Sequence, residues 1–316
     1  EIQEECGVDF SGRIKPKKDR VQVKYKKGFE ADPMFLAIWE KLKAKTTYRV
    51  RYDTGELIQK ASEEIKNMPP IVAPSVRSVK AQMMITGEGV STEYKGDRLS
   101  ANKSGHAIPN VLDYVMNHTE LTRHTIFHIL KESGRLNDLE VNPQLFMDMV
   151  VSKIKRVLHD LMIDGIEYHK INDTEYEMCL FEEKEPEIYL NDFTFKVSRK
   201  DKTIYDEYVP LDSNVENRFA HDCETSEQVR YYFKLPDWFK IPTPIGFYNP
   251  DWAVVFENDK RIYFVAETKD TGTSSVDLDK IRPDEKQKIR CGMACFRQFD
   301  DLKYRVVHKV SDLTNI

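Results

Sequence analysis

The sequence has no run of about 18 apolar residues, which excludes a membrane-spanning helix. Residues 1–20 (EIQEECGVDFSGRIKPKKDR) contain no apolar stretch of the kind a secretory signal requires. Together these absences predict a cytoplasmic protein with no membrane partner. Cysteine is scarce and scattered: Cys6, Cys179, Cys223, Cys291 and Cys295 form no C-x-x-C pair, and their odd number fits reduced thiols. No G-x-x-x-x-G-K-[ST] run occurs and no DEAD-like box follows, so no P-loop ATPase is encoded in these residues. Internal repeats and low-complexity tracts are absent. The chain begins with Glu where a complete reading frame has Met, as a fragment or a processed product would.

What is present is enough to fold. Of 316 residues, 40% are hydrophobic, 11% aromatic and 32% charged, which rules out wholesale disorder. The formal charge of −5 excludes a uniformly basic nucleic-acid binder, so any such surface must be local. Residues 12–51 carry thirteen Lys or Arg against four acids, including Lys15, Lys17 and Lys18. That segment can offer phosphates a basic face, and an ordinary solvated surface accounts for it equally well.

Periodicity divides the chain into three segments of an α+β, multidomain protein. Residues 1–105 read as a mixed α/β region with the basic segment: a strand at Val21–Tyr25, a helix from Pro33, a strand at Tyr48–Tyr52, a helix at Gly55–Lys66 and a strand at Val79–Ile85. The polar stretch 96–105 marks its end. Residues 106–210 read as a helical linker or coupling region, with helices at Val111–Asn117, Thr122–Ser133 and Pro143–Met162, then a hairpin of Ile166–Ile171 and Tyr176–Phe181 turned at Asn172 and Asp173. Residues 211–316 read as helix, three strands, helix, strand. Ser213 with Glu216 forms a capping box, Gln228–Lys234 is the first strand, and 236–249 is a proline-bearing loop. The strands Trp252–Glu257 and Arg261–Glu267 are followed by a helix from about Pro283 to Phe299 and a strand at Lys303–His308.

Three polar residues stand where that strand pattern calls for apolar ones: Asp251, Glu267 and Lys269. Glu267 and Lys269, two apart, share one face of their strand. If the two strands pair as a hairpin, Asp251 meets Glu267. Two adjacent carboxylates repel unless a cation lies between them, and oxygen ligands with retained waters suit Mg²⁺. Such an ion and a lysine suffice for phosphodiester hydrolysis. Acids and lysines also end strands simply because strands end at the surface.

Other candidates carry weaker signals. Arg123 opens a helix preceded by another, compatible with helix-turn-helix DNA contact, though a plain helical linker has the same pattern. His124 and His128 share a helix face, where packing is the simpler reading than zinc. Cys291, Cys295 and Phe299 form a stripe expected in the core. Lys286 and Lys288 lie on the helix after the Glu267 strand, on a face that contacts either DNA or solvent. Trp238, Phe239, Phe247, Tyr248 and Trp252 flank the acids and either stack on bases or pack over the sheet.

The run KLPDWFKIPTPIGFYNPDWAVVFENDKRIYFVAETKD (234–270) resembles the endonuclease domain of the restriction subunit of Type III restriction-modification enzymes. Upstream, ECGVDFSGRIK, TELTRHTIFHILKESGRL, NPQLFMDMV and IYDEYVPLDSNVENRFA extend the likeness over most of the chain. The family's PD and ExK residues fall on Pro250, Asp251, Glu267 and Lys269, and the acid of its first helix on Glu216. The resemblance implies an αβββαβ PD-(D/E)xK fold for 211–316. It also implies Mg²⁺-dependent cleavage of double-stranded DNA with Asp251, Glu267 and Glu216 around the metal. Further, it implies a modification (methyltransferase) subunit as partner and ATP used by a helicase region of the same subunit. These 316 residues lack that motor's motifs, so they correspond to the part that follows it. Asp270, directly after the ExK lysine, either tunes metal binding or faces solvent. The alternative from another class is a non-catalytic DNA-binding or coupling module joining motor, nuclease and modification subunit. A structure-selective nuclease of the same fold is a third reading.

Overall fold

A computed structural model describes residues 20–86, 89–101, 109–183, 187–189, 194–257, 260–273 and 276–313. The secondary structure mixes helices with small sheets, an α+β chain. It separates into two compact units: residues 51–165 form one, and 1–50 with 166–316 form the other. The boundaries therefore fall at 50/51 and 165/166 where the sequence pattern suggests 105/106 and 210/211. The cause is a strand pairing that sequence order hides: Ala44–Val50 runs antiparallel to Ile166–Glu175, so 115 intervening residues form an insertion. Among the described residues, no helix is long and apolar enough to cross a membrane.

In the inserted unit, the helices Thr54–Lys66, Val111–Thr119, Arg123–Ser133 and Pro143–Asp164 enclose a core of Leu57, Ile65, Val115, Ile126, Ile129, Phe146, Val150 and Ile154. Their starts are set by side-chain caps: Asp53, Asn110, Thr122 and Asn142 each accept a backbone N–H in the first turn. Gly134 closes one helix with φ +66°, a left-handed cap that favours glycine. The polar stretch 96–105, expected to mark a boundary, is in part a strand: Gly89–Ala101 pairs antiparallel with Ser75–Thr86. Its sequence, GVSTEYKGDRLSA, lacks the apolar and polar alternation by which strands are recognised.

The other unit is built on a four-stranded sheet in the spatial order Leu302–Val307, Arg261–Thr268, Trp252–Glu257, Val229–Lys234. Trp252–Glu257 is antiparallel to both neighbours, whereas Leu302–Val307 is parallel to Arg261–Thr268. A parallel pair requires a crossover, and the helix Pro283–Phe296 lies within that connection. The central strand WAVVFE is buried at five successive positions because both of its faces are covered. On one face, Phe219 of the helix Asn214–Thr225 meets Trp252, ring centroids 5.4 Å apart. On the other, Phe35 of the helix Pro33–Leu42 meets Phe233 at 5.4 Å. The expected helix, three strands, helix, strand order is present, with Cys291, Cys295 and Phe299 in the core as expected.

Two expectations in this unit are corrected. Residues 166–181 are not a hairpin: Ile166–Glu175 is one strand, followed by the short helix Leu180–Glu183. The turn chemistry at Asn172-Asp173 is real, since Asp173 has φ +56°, but it produces a bulge. Pairing jumps from Lys170↔Thr46 to Glu175↔Ala44, and the surplus residues loop out. The stretch 236–249 is not wholly loop: Ile241–Thr243 and Gly246–Tyr248 form a hairpin, with Gly246 at φ +102°.

Candidate functional site

The antiparallel register sets Trp252 opposite Ala266. Extending it by one residue brings Asp251 opposite Glu267 at the ends of their strands, as the spacing predicts. Asp251 is fixed through one oxygen: its Oδ2 accepts the Thr268 backbone N–H and the Thr268 hydroxyl, both at 2.7 Å. Glu267 is 5% exposed. Its Oε2 accepts the Tyr248 hydroxyl at 2.6 Å, and its Oε1 lies 3.0 Å from the Lys269 Nζ. Lys269 also lies 3.7 Å from Glu285 of the following helix. Its backbone N–H donates to the Val307 carbonyl, which fixes the chain at the sheet's end.

The electrostatics follow from burial. Desolvation, with the charge of Asp251 beside it, pushes the Glu267 carboxyl up to about 8. Desolvation and the charge of Glu216 likewise raise Asp251, although the two Thr268 hydrogen bonds oppose the shift. Burial works against the Lys269 ammonium, but the charges of Glu267 and Asp251 outweigh it and hold its pKa above the ordinary lysine range. Lys269 is therefore a hydrogen-bond donor and a cation at neutral pH, not a general base.

Glu216 sits in the first turn of the helix Asn214–Thr225, whose cap is the expected one: Ser213 accepts the Glu216 backbone N–H, and its hydroxyl donates to Glu216 Oε1 at 3.2 Å. The Oε2 of Glu216 takes the Asp212 N–H at 3.0 Å and the Lys234 ammonium at 2.6 Å. Lys234, at the end of its strand, also pairs with Asp212. Burial opposes its charge, yet Glu216 and Asp212 raise its pKa on balance. Among the described residues, no three His, Cys, Asp or Glu side chains are gathered as a ready ion-binding group. The donor set that fits a hard cation is the facing pair Asp251 and Glu267, with waters completing the shell. Glu216 stands behind it with both oxygens engaged.

The remaining candidates are spread more widely. Asp270 is exposed and turned to Arg218, at 2.5 Å, and to the Gly272 N–H, which lower its pKa. Lys286 pairs with Asp279 at 2.5 Å, and Lys288 is half-buried on the same helix. Arg123 belongs to the inserted unit and bonds Asp113 at 2.6 Å. His124 is exposed and His128 half-buried, their rings 4.5 Å apart, so neither is packed inside. Lys15, Lys17 and Lys18 lie outside the described residues. Of the flanking aromatics, Phe239, Tyr248 and Trp252 are buried and only Phe247 is strongly exposed, at 63%.

Sequence reasoning missed three contributors: Thr268, Lys234 and Tyr304, whose hydroxyl lies 2.5 Å from that of Tyr248. Lys234 gave the same signal as Lys269, a charge at the end of an apolar strand. Thr268 and Tyr304 gave none, because both are ordinary strand residues.

A family model described as an endonuclease domain matches residues 201–310. That range holds Glu216, Lys234, Asp251, Glu267 and Lys269, and it supports a restriction-endonuclease-like domain and a nuclease enzyme. No curated protein and no solved structure gave a match.

Proposed function

We propose that this chain is a Mg²⁺-dependent DNA endonuclease of a Type III restriction-modification system. In this reading ATP-driven translocation along double-stranded DNA is supplied by a helicase region outside these 316 residues, and site recognition by a modification (methyltransferase) subunit. The observation that carries the nuclease part is the pairing of Asp251 with Glu267 at adjoining strand ends, with the Lys269 ammonium 3.0 Å from Glu267.

The residues divide the work simply. Asp251 and Glu267 present oxygens to the cation, and Thr268 holds Asp251 so that Oδ1 points away from the pair of bonds on Oδ2. The Lys269 ammonium donates to the negative charge that builds on the phosphoryl oxygens, or to the attacking water. Glu216, tied to Lys234, adds negative potential behind the pair. Bound Mg²⁺ would supply Lewis acidity and lower the pKa of a water.

Nicking of supercoiled plasmid tests this reading. The wild-type chain is expected to cut with Mg²⁺ but not with Ca²⁺ or chelator, and Asp251→Ala to abolish cutting. Cutting by Asp251→Ala at the wild-type rate overturns the assignment. A chain that binds DNA, never cuts it and shows no Mn²⁺ site by calorimetry is the non-catalytic coupling module instead.

A further inference from the structure

The buried hydroxyls beneath Glu267 form a chain with a defined direction. Tyr248 is 4% exposed, and its hydroxyl lies 2.6 Å from Glu267 Oε2 and 2.5 Å from the Tyr304 hydroxyl. Ionised, as a metal ligand must be, Glu267 only accepts, so Tyr248 spends its single proton on it. Tyr304 must then donate to Tyr248. The order Tyr304 to Tyr248 to Glu267 links the strand Leu302–Val307, the hairpin strand Gly246–Tyr248 and the acid-bearing strand Arg261–Thr268.

The fold makes room for this chain at a particular residue. Gly292, in the helix Pro283–Phe296, faces both rings. A Cβ there would lie 2.6 Å from Tyr248 Cε1 and 3.2 Å from the Tyr304 ring. Behind Tyr304, Phe296 stacks on its ring with centroids 5.5 Å apart and planes 9° apart. Both rings are thus held by packing, Tyr248 buried and Tyr304 half-buried.

We propose that Tyr248 and Tyr304 are positioning residues for metal binding: by engaging Oε2 of Glu267 they keep Oε1 turned toward Asp251, Lys269 and the cation. This rests on the nuclease reading above. A carboxylate ligand left free to rotate binds an ion less tightly, and removal of such outer partners costs about 10–100-fold in metal affinity.

The test is a Mn²⁺ titration by calorimetry on the DNA-free chain, beside plasmid nicking at graded Mg²⁺. Tyr248→Phe removes one oxygen and keeps the ring. It is expected to weaken Mn²⁺ binding and raise the half-saturating Mg²⁺ by about tenfold or more, with the nicking rate at saturating Mg²⁺ within about threefold of wild type. Tyr304→Phe should shift both in the same direction by less, and should add nothing in the Tyr248→Phe background, since it acts through Tyr248. Gly292→Ala, which displaces the Tyr248 ring, should reproduce the affinity loss with every hydroxyl present. A merely structural role would lower the melting temperature and leave the metal affinity of the folded fraction unchanged. That result, or a Mn²⁺ affinity within twofold of wild type in both Phe variants, overturns the inference. The two failures are distinguishable: if Lys269→Ala still nicks, the nuclease reading fails; if nicking needs Lys269 but Tyr248→Phe binds Mn²⁺ normally, only the positioning role fails.

Discussion

Glu267→Gln should stabilise the metal-free protein at neutral pH while destroying the proposed activity. Glu267 is buried opposite Asp251, and its carboxyl is pushed from 4.5 up to about 8, so at pH 7 the folded state keeps it protonated while the unfolded chain ionises it. Each pKa unit is worth about 1.4 kcal/mol, so over the interval from 4.5 to pH 7 this costs the wild type about 3 kcal/mol. Glutamine is neutral in both states and escapes that cost. It has one acceptor oxygen where Glu267 has two, so it forfeits one of the contacts with Lys269 at 3.0 Å and Tyr248 at 2.6 Å, worth about 1–2 kcal/mol. The net gain at pH 7 is about 1–2 kcal/mol. The sign then follows from linkage. A carboxyl with a raised folded pKa has its full stability below the unfolded pKa and loses it as pH rises toward the folded one. At pH 5 the recoverable cost falls to about 0.7 kcal/mol, and the variant should be no more stable than wild type. Urea unfolding in chelator, followed by tryptophan fluorescence, reads this directly, because Trp39, Trp238 and Trp252 all lie in the unit that contains the site. A variant less stable than wild type at pH 7, or a difference equal at pH 5 and pH 7, would refute the reasoning.

Three further outcomes are expected. Gly165→Ala should destabilise the inserted unit by more than about 2 kcal/mol, because its Cβ would fall 1.8 Å from the backbone oxygen of Arg51; circular dichroism melts check it, and an unchanged melting temperature contradicts it. Lys234→Met should cost about 3 kcal/mol by leaving Glu216, 6% exposed, without its cation, and Glu216→Gln in that background should recover most of the loss in urea titrations. Of the described cysteines, Cys179 alone should react quickly with a thiol reagent in the native state: Cys223, Cys291 and Cys295 are buried, and desolvation pushes Cys291 up to about 11 and Cys295 to about 12. Rapid labelling of Cys295, located by peptide mapping, would contradict the packing.

The candidate site stands out in the sequence because it departs from local pattern. Asp251, Glu267 and Lys269 stand at the ends of largely apolar strands, and such strands can pair in few registers. The capping box at Ser213 was legible for the same reason, a short-range rule with fixed spacing. What stayed hidden depends on partners distant in sequence. Nothing local says that Ile166 pairs with Val50, so in sequence order the insertion of 51–165 looks like successive segments. Asn172-Asp173 carries turn chemistry that suits a bulge as well as a hairpin, and only the partner strand decides. Tyr304 reaches the acids through Tyr248 across 56 residues, a contact no periodicity encodes.

The central claim is that Lys269 serves the chemistry of cleavage and not the binding of DNA. Measuring both quantities on the same preparation of Lys269→Ala tests it most directly: the nicking rate at saturating Mg²⁺, and the DNA dissociation constant in Ca²⁺ at fixed salt. The account predicts a rate at least about 100-fold below wild type, as for loss of one preorganised charge-stabilising donor, with the dissociation constant unchanged within about twofold. A variant that nicks at the wild-type rate, or whose loss of cutting is matched by an equal loss of DNA affinity, would contradict it.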